Sequence, residues 1–415
     1  MAKQPCKKSF DDLLNEFPKV MGFLNSQIPV CGIPIYHSLD LRDGGYKIAA
    51  VDVNLFPGGF NNLTLEERSI AARRFREFFS ARLLSTPPWR IAIYPEAHTN
   101  NFSYLENVAA LIAILKEAGA EVSLAWSGPK IAKPWTIKTP KGSELTYLPT
   151  EEAFANANFL LLNHDMSEGV PEAVKNFPGR VLPNLNLGWY KRRKSHHHTI
   201  AAGLLKKLQQ EFSFFDAWCF DAKTHMIADL NFDDTESFLR LLKEAQAFEE
   251  NLKREYEARV IEQPPNIFLK NDSGTYGMGV LNFRSIDELK EMHSTVKRKL
   301  RRGKGSTVVD QVILQEGIPT CFSSRDASGA QVSGEPVLYS VGGSLVSCFF
   351  RVHRKLGENG SLTNLNQPGA EFISAKDSPF AWPRDEHFVV DTKEPHIYQF
   401  IAKLHAVAAA LEDCP

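Results

Sequence analysis

The first residues with recognisable chemistry lie in a glycine-rich segment that follows a short apolar run. The run IFLK ends in Lys270, and Gly274, Gly277 and Gly279 follow it. Glycines at a strand end let the backbone approach a ligand and turn several N–H groups toward it, which suits phosphate oxygens. Lys270 adds a positive charge beside these donors. The segment favours a phosphate-binding loop, with a plain glycine-rich hairpin as the alternative.

Two standard phosphate motifs do not fit this loop. No GK[ST] sequence closes it, as a Walker loop requires. The dinucleotide-binding fingerprint continues into a helix, whereas the segment VLNF after the loop is strand-like. What remains is a strand, a flexible glycine-rich flap and a second strand, a hairpin that could fold over a nucleotide.

Residues further along the chain strengthen the nucleotide hypothesis. The apolar strand QVILQEGI ends in Gln315 and Glu316, where backbone groups and a carboxylate could hydrogen-bond an adenine and a ribose. The segment EPVLYSVGGSLVSCFFRVH predicts a hairpin that places Glu335 and Arg351 on strands of one sheet. These two strands therefore bring an acidic and a basic side chain toward the same site.

The segment LTNLNQPGAEF adds Asn364 and Asn366, whose side-chain carbonyls suit Mg²⁺. The order of lysine, glycine flap, QEG strand, arginine strand and asparagine loop is similar to the ATP-grasp fold, in which two sheets clamp ATP. Transfer of a phosphoryl group to a carboxylate requires cations along the phosphates and closure that excludes water.

A second polar cluster lies near the N-terminus, in SLDLRDGGYKIAAVDVNLFPGGFNNL. Its arginine and lysine suit carboxylates, and its aspartates and asparagines can accept hydrogen bonds from an ammonium group, so we predict an amino-acid pocket. Asx turns before PGG are the alternative for Asp52 and Asn54. The predicted pocket residues are Asp40, Arg42, Lys47, Asp52, Asn54, Asn61 and Asn62.

Two strand ends offer further polar side chains. PEAHTNN places Glu96, His98 and Asn101 directly after a predicted strand, the usual position for ligand contacts in an open α/β sheet. Capping of the following helix explains the same residues equally well. The segment NHD, residues 163–165, likewise ends a strand and is either a turn or a substrate contact.

The segment WYKRRKSHHH combines basic residues with three histidines. A solvated basic loop is the simplest interpretation. Contact with phosphate or carboxylate by Arg192, Arg193 or Lys194 is favoured because the stretch matches a segment of the family that the sequence resembles, as described below. Adjacent histidines cannot all point one way on a strand or helix, so no zinc site is predicted.

Hydrophobic periodicity predicts the elements that must position these residues. Helices are predicted at about 11–30, 65–84, 103–119, 199–212, 234–260, 285–302 and 395–412. Strands are predicted at about 46–56, 89–96, 120–126, 158–165, 266–270, 280, 310–316, 335–341 and 344–352, with a loop or hairpin over 127–150. Alternation of β and α elements near the N-terminus implies a parallel sheet covered by helices.

The predicted fold class is α/β, becoming α+β in the C-terminal part: a βαβ-type N-terminal domain followed by an ATP-grasp-like domain. We predict an α/β substrate domain over 1–150, a middle α/β segment with a long helix over 151–260, and a nucleotide-binding domain over 261–415. The Pro-Pro pair in EQPPN marks the second boundary.

Composition limits the partners. The formal net charge of −1 gives no field that favours nucleic acid or an anionic membrane, so small-molecule substrates are expected, with a homo-oligomer possible. The N-terminus lacks the apolar core of a signal peptide, and no stretch approaches the roughly 18 apolar residues of a spanning helix. Cytoplasm is therefore the expected location. The six cysteines show no CxxC spacing and are expected to be reduced, mostly buried thiols.

Several segments together resemble one family. The segments VDVNLFPGGFNNL, YPEAHTNNFSYLENV, LLNHDMSEGVPE, LGWYKRRKSHH, FLKNDSGTYGMGV, VILQEGIPT and FFRVHRKLGENGSLTNLNQPGAEF are similar to those of the proteobacterial glutamate–cysteine ligases of ATP-grasp-like type. The first segment is strongly specific, whereas the glycine loop alone is not. The resemblance implies ATP- and Mg²⁺-dependent synthesis of γ-glutamylcysteine through an acyl phosphate, the first step toward glutathione.

The same resemblance implies roles for single residues. Lys270 would hold the phosphates, Gln315 and Glu316 would take the adenine end, and Arg351 would stabilise charge on the transferring phosphoryl group. The metal candidates are Glu335, Asn364 and Asn366. The residues expected to cover the phosphates are Ser273, Gly274, Thr275, Tyr276, Gly277, Met278 and Gly279.

Two positions depart from the family pattern. Thr363 stands where the family carries an acidic residue, and Asn100 where it carries a basic one. A lost carboxylate weakens Mg²⁺ binding unless another acid replaces it, and a lost positive charge can change the acid that is accepted. A ligase for another amino-acid pair and an inactive nucleotide-binding regulator are therefore kept as alternatives.

Overall fold

The computed structural model describes residues 5–82, 87–273, 279–300, 309–325, 328–354, 356, 362–367, 369–382, 390 and 394–414. Its strands are β1 (Tyr36–Asp43), β2 (Ile48–Asn54), β3 (Trp89–Pro95), β4 (Ala120–Leu124), β5 (Trp135–Lys138), β6 (Glu144–Tyr147), β7 (Phe159–Asn163), β8 (Arg180–Leu182), β9 (Thr224–Ile227), β10 (Ile267–Asn271), β11 (Val280–Phe283), β12 (Val312–Glu316), β13 (Ser323–Arg325), β14 (Gln331–Val341), β15 (Ser344–Val352) and β16 (Glu371–Ser374).

The α-helices are α1 (Lys7–Asn15), α2 (Phe17–Ser26), α3 (Leu65–Arg82), α4 (Phe102–Glu117), α5 (Thr150–Ala155), α6 (Glu172–Lys175), α7 (Lys194–Glu211), α8 (Thr235–Ala258), α9 (Ile286–Glu291), α10 (His293–Leu300) and α11 (Ile397–Asp413). Among the helices of the described ranges, none is both long and apolar enough to cross a bilayer.

The described strands form three main sheets and one hairpin. The largest sheet is antiparallel and has the order β16-β15-β14-β1-β2, with β13 added beside β14. A parallel sheet has the order β4-β3-β7-β8, and a second antiparallel sheet has the order β11-β10-β12-β9. Strands β5 and β6 form the hairpin expected within 127–150. The chain is therefore a mixed α/β protein with several sheets, as the composition of its elements predicted.

Strand β1 was not predicted, and it decides where the N-terminal polar cluster lies. All eight of its residues are buried, and it pairs antiparallel with both β2 and β14. The chain between residues 36 and 54 therefore belongs to the same sheet as β14, β15 and β16. The parallel sheet starts at β3, so β2 does not belong to it. The proposed division at residues 150 and 260 stays a prediction.

The parallel sheet is built from strands joined through α4. Asn101 caps α4, since its side chain accepts a hydrogen bond from the backbone N–H of Tyr104 at 3.2 Å. Phe75, Phe79 and Trp89 pack with the apolar side of α4 in one core that also reaches β14 and β15. Full burial of such a side chain contributes about 1.5–3 kcal/mol. This packing fixes the carboxyl ends of β3 and β7 against the large sheet.

Helices α7 and α11 pack together with α1 and α2 in a second core against the large sheet. Helix α7 begins at Lys194, the last residue of the basic run, so the three histidines lie in its first two turns rather than in a loop before residue 199. Its first turn is capped from a distant segment, because Asp272 accepts from the N–H of Ser195 at 2.7 Å and from its hydroxyl at 2.7 Å. The cap joins α7 to the strand that carries Lys270.

Four of the six cysteines are paired, so the expectation of reduced thiols was wrong for them. Cys6 forms a disulfide with Cys219, and Cys31 forms one with Cys414. Cys321 and Cys348 form no disulfide, and all six cysteines lie in the described part of the chain. The first pair is separated by 213 positions in the sequence and the second by 383, and the spacing of the cysteines does not reveal such pairings.

Candidate active site

Two adjoining cavities bring most of the predicted residues together. The first, here called the Lys270 cavity, encloses about 680 Å³, part of it open to solvent. The second, here called the Tyr339 cavity, encloses about 1230 Å³, part of it also open to solvent. Asp40, Asp52 and Asn366 line both cavities, which therefore meet at these three side chains. The Lys270 cavity is lined by Asp40, Arg42, Val51, Asp52, Lys194, Phe268, Lys270, Asn271, Val280, Glu316, Ile318, Glu335, Asn364 and Asn366.

Lys270 extends from β10 between two other segments. Its ammonium donates to the side-chain carbonyl of Gln315 at 2.6 Å and to the backbone carbonyl of Val51 at 3.2 Å. Burial lowers the pKa of Lys270 to about 8, although the carboxylate of Asp52 opposes the shift. The amine is therefore charged at neutral pH but loses its proton in a mildly alkaline solution.

Asp52 and Lys194 form an ion pair at the boundary between the cavities. Burial alone would raise the pKa of Asp52, but Lys194 and Lys270 outweigh it and lower that pKa to about 2. Two lysines and an ionised aspartate thus stand beside one another in the Lys270 cavity. A polyphosphate could replace Asp52 as the partner of Lys194 and bind the neighbouring ammonium of Lys270 as well.

Four charged side chains of the large sheet form a chain of alternating sign. Arg351 donates to both oxygens of Asp40, at 2.9 and 3.0 Å, and to Glu335 at 2.6 Å. The other oxygen of Glu335 accepts from Arg42, at 2.8 Å. Burial disfavours the charge of Arg351, but Asp40 and Glu335 outweigh it and raise the pKa of the guanidinium. The structure thus places the predicted catalytic arginine beside the predicted pocket residues Asp40 and Arg42.

Lys47 and Glu316 form an ion pair in the interior. Both side chains have no exposed surface, and the ammonium lies 2.6 Å from the carboxylate. The same carboxylate accepts from the hydroxyl of Tyr256 at 2.9 Å and from the N–H of Lys223 at 3.2 Å. Lys47 also lies 4.1 Å from the centre of the Trp218 ring. The structure does not bring Lys47 to either cavity, and its contact with a substrate stays a prediction.

The Tyr339 cavity contains the amide, carboxylate and aromatic side chains of several elements. Asn54, Asn62 and Glu96 line it as predicted, whereas Asn61 and His98 do not. Asn61 hydrogen-bonds Asn62, and His98 packs edge-on against Tyr104. The cavity is lined by Ser38, Asp40, Asp52, Asn54, Phe56, Pro57, Gly58, Gly59, Asn62, Glu96, Asn101, Ser103, Tyr104, Asn163, Asp165, Trp189, Val337, Tyr339, Phe349, Arg351, Asn366 and Phe372.

The basic run contributes one residue to the site, and it is Lys194. Arg192 is buried, donates to Glu412 at 2.9 Å and to the backbone carbonyl of Val53 at 2.6 Å, and so fastens α11 to β2. Arg193 donates to the backbone carbonyls of Lys191 and Arg192. Both arginine side chains have other partners and line neither cavity, so the structure does not bring them to the site, and their contact with a substrate stays a prediction.

The strand residues on either side of the glycine segment, Asn271 and Val280, line the Lys270 cavity together with the asparagine loop. Ser273 and Gly279 are described, whereas Gly274, Thr275, Tyr276, Gly277 and Met278 lie outside the described residues. Asn364 accepts from the N–H of Asn366 at 2.9 Å, and both side chains line the cavity. The backbone carbonyl of Thr363 accepts from Arg42 at 2.6 Å. The position that departs from the family pattern is therefore tied to the site through its backbone.

Sequence reasoning did not single out several lining residues. Tyr339 and Trp189 are aromatic residues in apolar or basic segments, and nothing in their spacing separates them from core residues. Asp165 was only one option in the NHD segment. Gly59 was read as part of a turn, but a Cβ at this position would collide with the hydroxyl of Tyr339, so the glycine keeps the cavity wall close to the ring.

Comparisons with known proteins agree with this geometry. The sequence profile described as glutamate-cysteine ligase matches residues 11–413. The chain belongs to this family. A crystal structure from Methylobacillus flagellatus KT, of a candidate gamma-glutamylcysteine synthetase, superposes with a TM-score of 0.80 at 28% identity, covering 96% of this chain and 94% of that chain. The resemblance drawn from the sequence segments is thereby confirmed, and this member of the family is a ligase in fold and in sequence.

Two further comparisons add little. D-alanyl-alanine synthetase A from Vibrio cholerae superposes with a TM-score of 0.31 at 8% identity, over 70% of this chain and 74% of that chain, which is too low to bear on the fold. No curated protein sequence matches the chain.

Proposed function

We propose that this glutamate–cysteine ligase family member joins glutamate and cysteine into γ-glutamylcysteine at the expense of ATP, through γ-glutamyl phosphate. The observation that carries the proposal is the meeting of two cavities at Asp40, Asp52 and Asn366. One cavity has two lysines for a polyphosphate, and the other has amides, carboxylates and aromatic rings for amino acids. Such an arrangement places the end of a triphosphate beside the carboxylate it activates.

ATP takes the Lys270 cavity, with its phosphates along Lys270 and Lys194. Residues of two antiparallel sheets line this cavity, from β1, β2 and β14 and from β10, β11 and β12, and such a pair of sheets supports an ATP-grasp-like site. The sequence resemblance assigns residues 273–279 to the phosphates, and of these residues 274–278 lie outside the described part of the chain. The backbone at Glu316 remains the candidate for the adenine end, since the carboxylate is held by Lys47.

Glutamate takes the Tyr339 cavity with its γ-carboxylate at the shared boundary. A γ-carboxylate oxygen attacks the terminal phosphorus, the bond to the bridging oxygen breaks, and ADP leaves. The amine of cysteine then attacks the acyl carbon, loses a proton, and releases inorganic phosphate. Formation of the mixed anhydride turns a poor electrophile into a reactive one. Arg351, beside this boundary, supplies positive charge as the phosphoryl group transfers.

Mg²⁺ is assigned to the asparagine loop. Asn364 and Asn366 offer carbonyl oxygens in the Lys270 cavity, a donor type that Mg²⁺ accepts. Glu335 is the third candidate, and it has to release Arg42 or Arg351 before it can coordinate a metal ion, since each of its oxygens accepts from one of them. When bound, Mg²⁺ would neutralise charge on the phosphates and orient them.

The direct test is an assay of the products. Purified protein is incubated with ATP, Mg²⁺, glutamate and cysteine, and γ-glutamylcysteine, ADP and phosphate are quantified by chromatography. We expect all three in equal amounts. Product with other amines but never with cysteine would reject the amino-acid assignment, and nucleotide binding without turnover with any pair would indicate a regulator that has lost catalysis.

A lysine variant and its matched control separate binding from folding. Lys270→Ala is expected to lose ATP affinity, whereas Lys133→Ala, at an exposed position, is expected to retain it. Equal ATP affinity in the two variants would contradict the assignment of the Lys270 cavity. The proposed substrates are small molecules, and a cytoplasmic location and the oligomeric state stay predictions.

A further inference from the structure

A line of hydrogen bonds connects Lys270 to a histidine inside the protein. The ammonium of Lys270 donates to Oε1 of Gln315 at 2.6 Å, and Nε2 of Gln315 lies 3.0 Å from Nε2 of His198. Gln315 has no exposed surface, and His198 is 6% exposed. His198 belongs to α7, the same helix that carries Lys194 into the cavity. Two of the histidines beside the basic run therefore have different partners: His197 pairs with Glu412, and His198 hydrogen-bonds Gln315.

The chemistry of the groups fixes the direction of every hydrogen bond in this line. An ammonium group can only donate, so the carbonyl oxygen of Gln315 must face Lys270. The amide nitrogen then faces His198, whose Nε2 must accept, which makes the ring neutral with its proton on Nδ1. The same amide nitrogen lies 3.3 Å from the hydroxyl of Thr224. With both ends of the side chain engaged, Gln315 can reach an adenine only through its backbone.

We propose that Gln315 and His198 are positioning residues for Lys270: neutral His198 locks the amide of Gln315 so that its carbonyl holds the lysine ammonium in the cavity. The role in ATP binding rests on the proposed function, whereas the hydrogen-bonded line itself does not. If the amide turned over, its NH₂ group would face the ammonium, and two donors would oppose each other. Reversal would also turn the carbonyl toward Nε2 of His198, so the ring would have to shift its proton from Nδ1 to Nε2 before that hydrogen bond could form again.

The surroundings keep His198 neutral. Burial lowers its pKa well below the usual value, and the charges of His197, Lys270 and Lys194 act in the same direction, against a smaller opposing effect of Asp52. The charged groups that face Lys270 are Asp52 on β2, Lys194 on α7, and Arg42 and Asp40 on β1. The Gln315 carbonyl is therefore an uncharged partner of Lys270 among several charged groups, and its orientation toward the amine stabilises the protonated form of Lys270.

The test measures the titration of Lys270 directly, without ATP. The full-length protein is labelled with trace acetic anhydride across a pH series, and acetylation of Lys270 and of the exposed Lys133 is quantified by peptide mass spectrometry. Gln315→Glu is expected to raise the pKa of Lys270 by about one to three pH units, because it places a carboxylate against the ammonium. Gln315→Met is expected to lower that pKa by about one pH unit, because it removes a hydrogen bond to a charged group.

Two histidine variants test the distal half of the line. His198→Gln can still accept from the amide nitrogen and is expected to leave the titration of Lys270 unchanged. His198→Leu removes the acceptor and is expected to lower the pKa of Lys270 as Gln315→Met does. The same variants are compared by circular dichroism, so that a variant that fails to fold is replaced by His198→Met at the same position.

Three results would overturn the proposal. The first is a pKa of Lys270 that does not change in Gln315→Glu. The second is a pKa of Lys270 that does not change in His198→Leu. The third is a pKa of Lys270 that falls equally in His198→Gln and His198→Leu. If the acetylation results are as expected but the product assay fails, only the proposed function is rejected, because acetylation reports on Lys270 whether or not ATP binds.

Discussion

The buried pair Lys47–Glu316 gives the sharpest stability prediction. Lys47→Met keeps the length of the side chain but removes its charge, which leaves the carboxylate of Glu316 inside the protein with Tyr256 and the backbone of Lys223 as its remaining donors. Removing one partner of a buried pair costs about 3–5 kcal/mol, and we expect about 3 kcal/mol because two donors remain. Glu316→Gln strands the ammonium beside the Trp218 ring, and we expect a loss of about 2–4 kcal/mol.

The double variant Lys47→Met/Glu316→Gln is expected to be more stable than either single variant, with a total loss of about 1–2 kcal/mol. Neither charge is then left without its partner, and replacing a buried pair by neutral groups of similar volume is often close to neutral. The free energy of unfolding is measured by urea titration for all four proteins of the cycle. If the double variant loses the sum of the two single losses, the two side chains are not coupled and the account of the interior is wrong.

The exposed pair Lys130–Glu151 serves as the matched control, since its side chains are 82% and 71% exposed at a nitrogen–oxygen distance of 3.0 Å. Water and salt screen such a pair, so the corresponding cycle should show little coupling. Comparable coupling in both cycles would mean that burial is not what distinguishes Lys47 and Glu316.

Three further predictions concern the site and the cysteines. The affinity for ATP should fall as pH rises through about 8, because the charged form of Lys270, whose pKa is lowered to about 8, binds phosphate and is lost above that value; calorimetry at a series of pH values checks this, and an affinity constant up to pH 10 would refute it. Lys194→Gln should weaken ATP binding about tenfold or more, since a charged hydrogen bond is worth about 1.5–3 kcal/mol, whereas the exposed Lys191→Gln should not. Thiol titration of the unfolded, unreduced protein should find two thiols, from Cys321 and Cys348, and a count of six would contradict the disulfides.

Local patterns predicted much of the secondary structure. The long helix α8 starts where its sequence predicts, because Asp234 accepts from the N–H groups of residues 236 and 237. The hairpins around the glycine flap and around residues 342–343 also follow from alternating apolar runs with glycine turns. Each of these elements is determined by residues close together in the sequence, which is why periodicity and capping suffice.

The unpredicted parts depend on partners far away in the chain. Strand β1 contains Asp40 and Arg42, which look like exposed loop residues until Arg351 and Glu335 neutralise them from β15 and β14. The burial of Lys47 was not predicted for the same reason, since its partner Glu316 lies on β12. A single sequence shows the charge of a residue but not the opposite charge that allows its burial.

Several residues at or next to the Lys270 cavity could be singled out because they are close together in the sequence. Lys270, Ser273 and Gly279 are close in sequence, and the asparagines follow one another within a short loop. By contrast, Lys194 was one of three basic candidates, and only the course of α7 distinguishes it from Arg192 and Arg193. The aromatic wall of the Tyr339 cavity comes from separate strands and loops, so no local pattern marks it.

The most direct test of the central claim follows the oxygen atoms. Glutamate labelled with oxygen-18 in its γ-carboxylate is incubated with the protein, ATP, Mg²⁺ and cysteine, and the released phosphate is analysed by mass spectrometry. The account predicts ADP and one labelled oxygen in each phosphate, because the carboxylate oxygen that attacks phosphorus leaves with it. Unlabelled phosphate, or AMP with pyrophosphate, would contradict an acyl phosphate formed at the boundary of the two cavities.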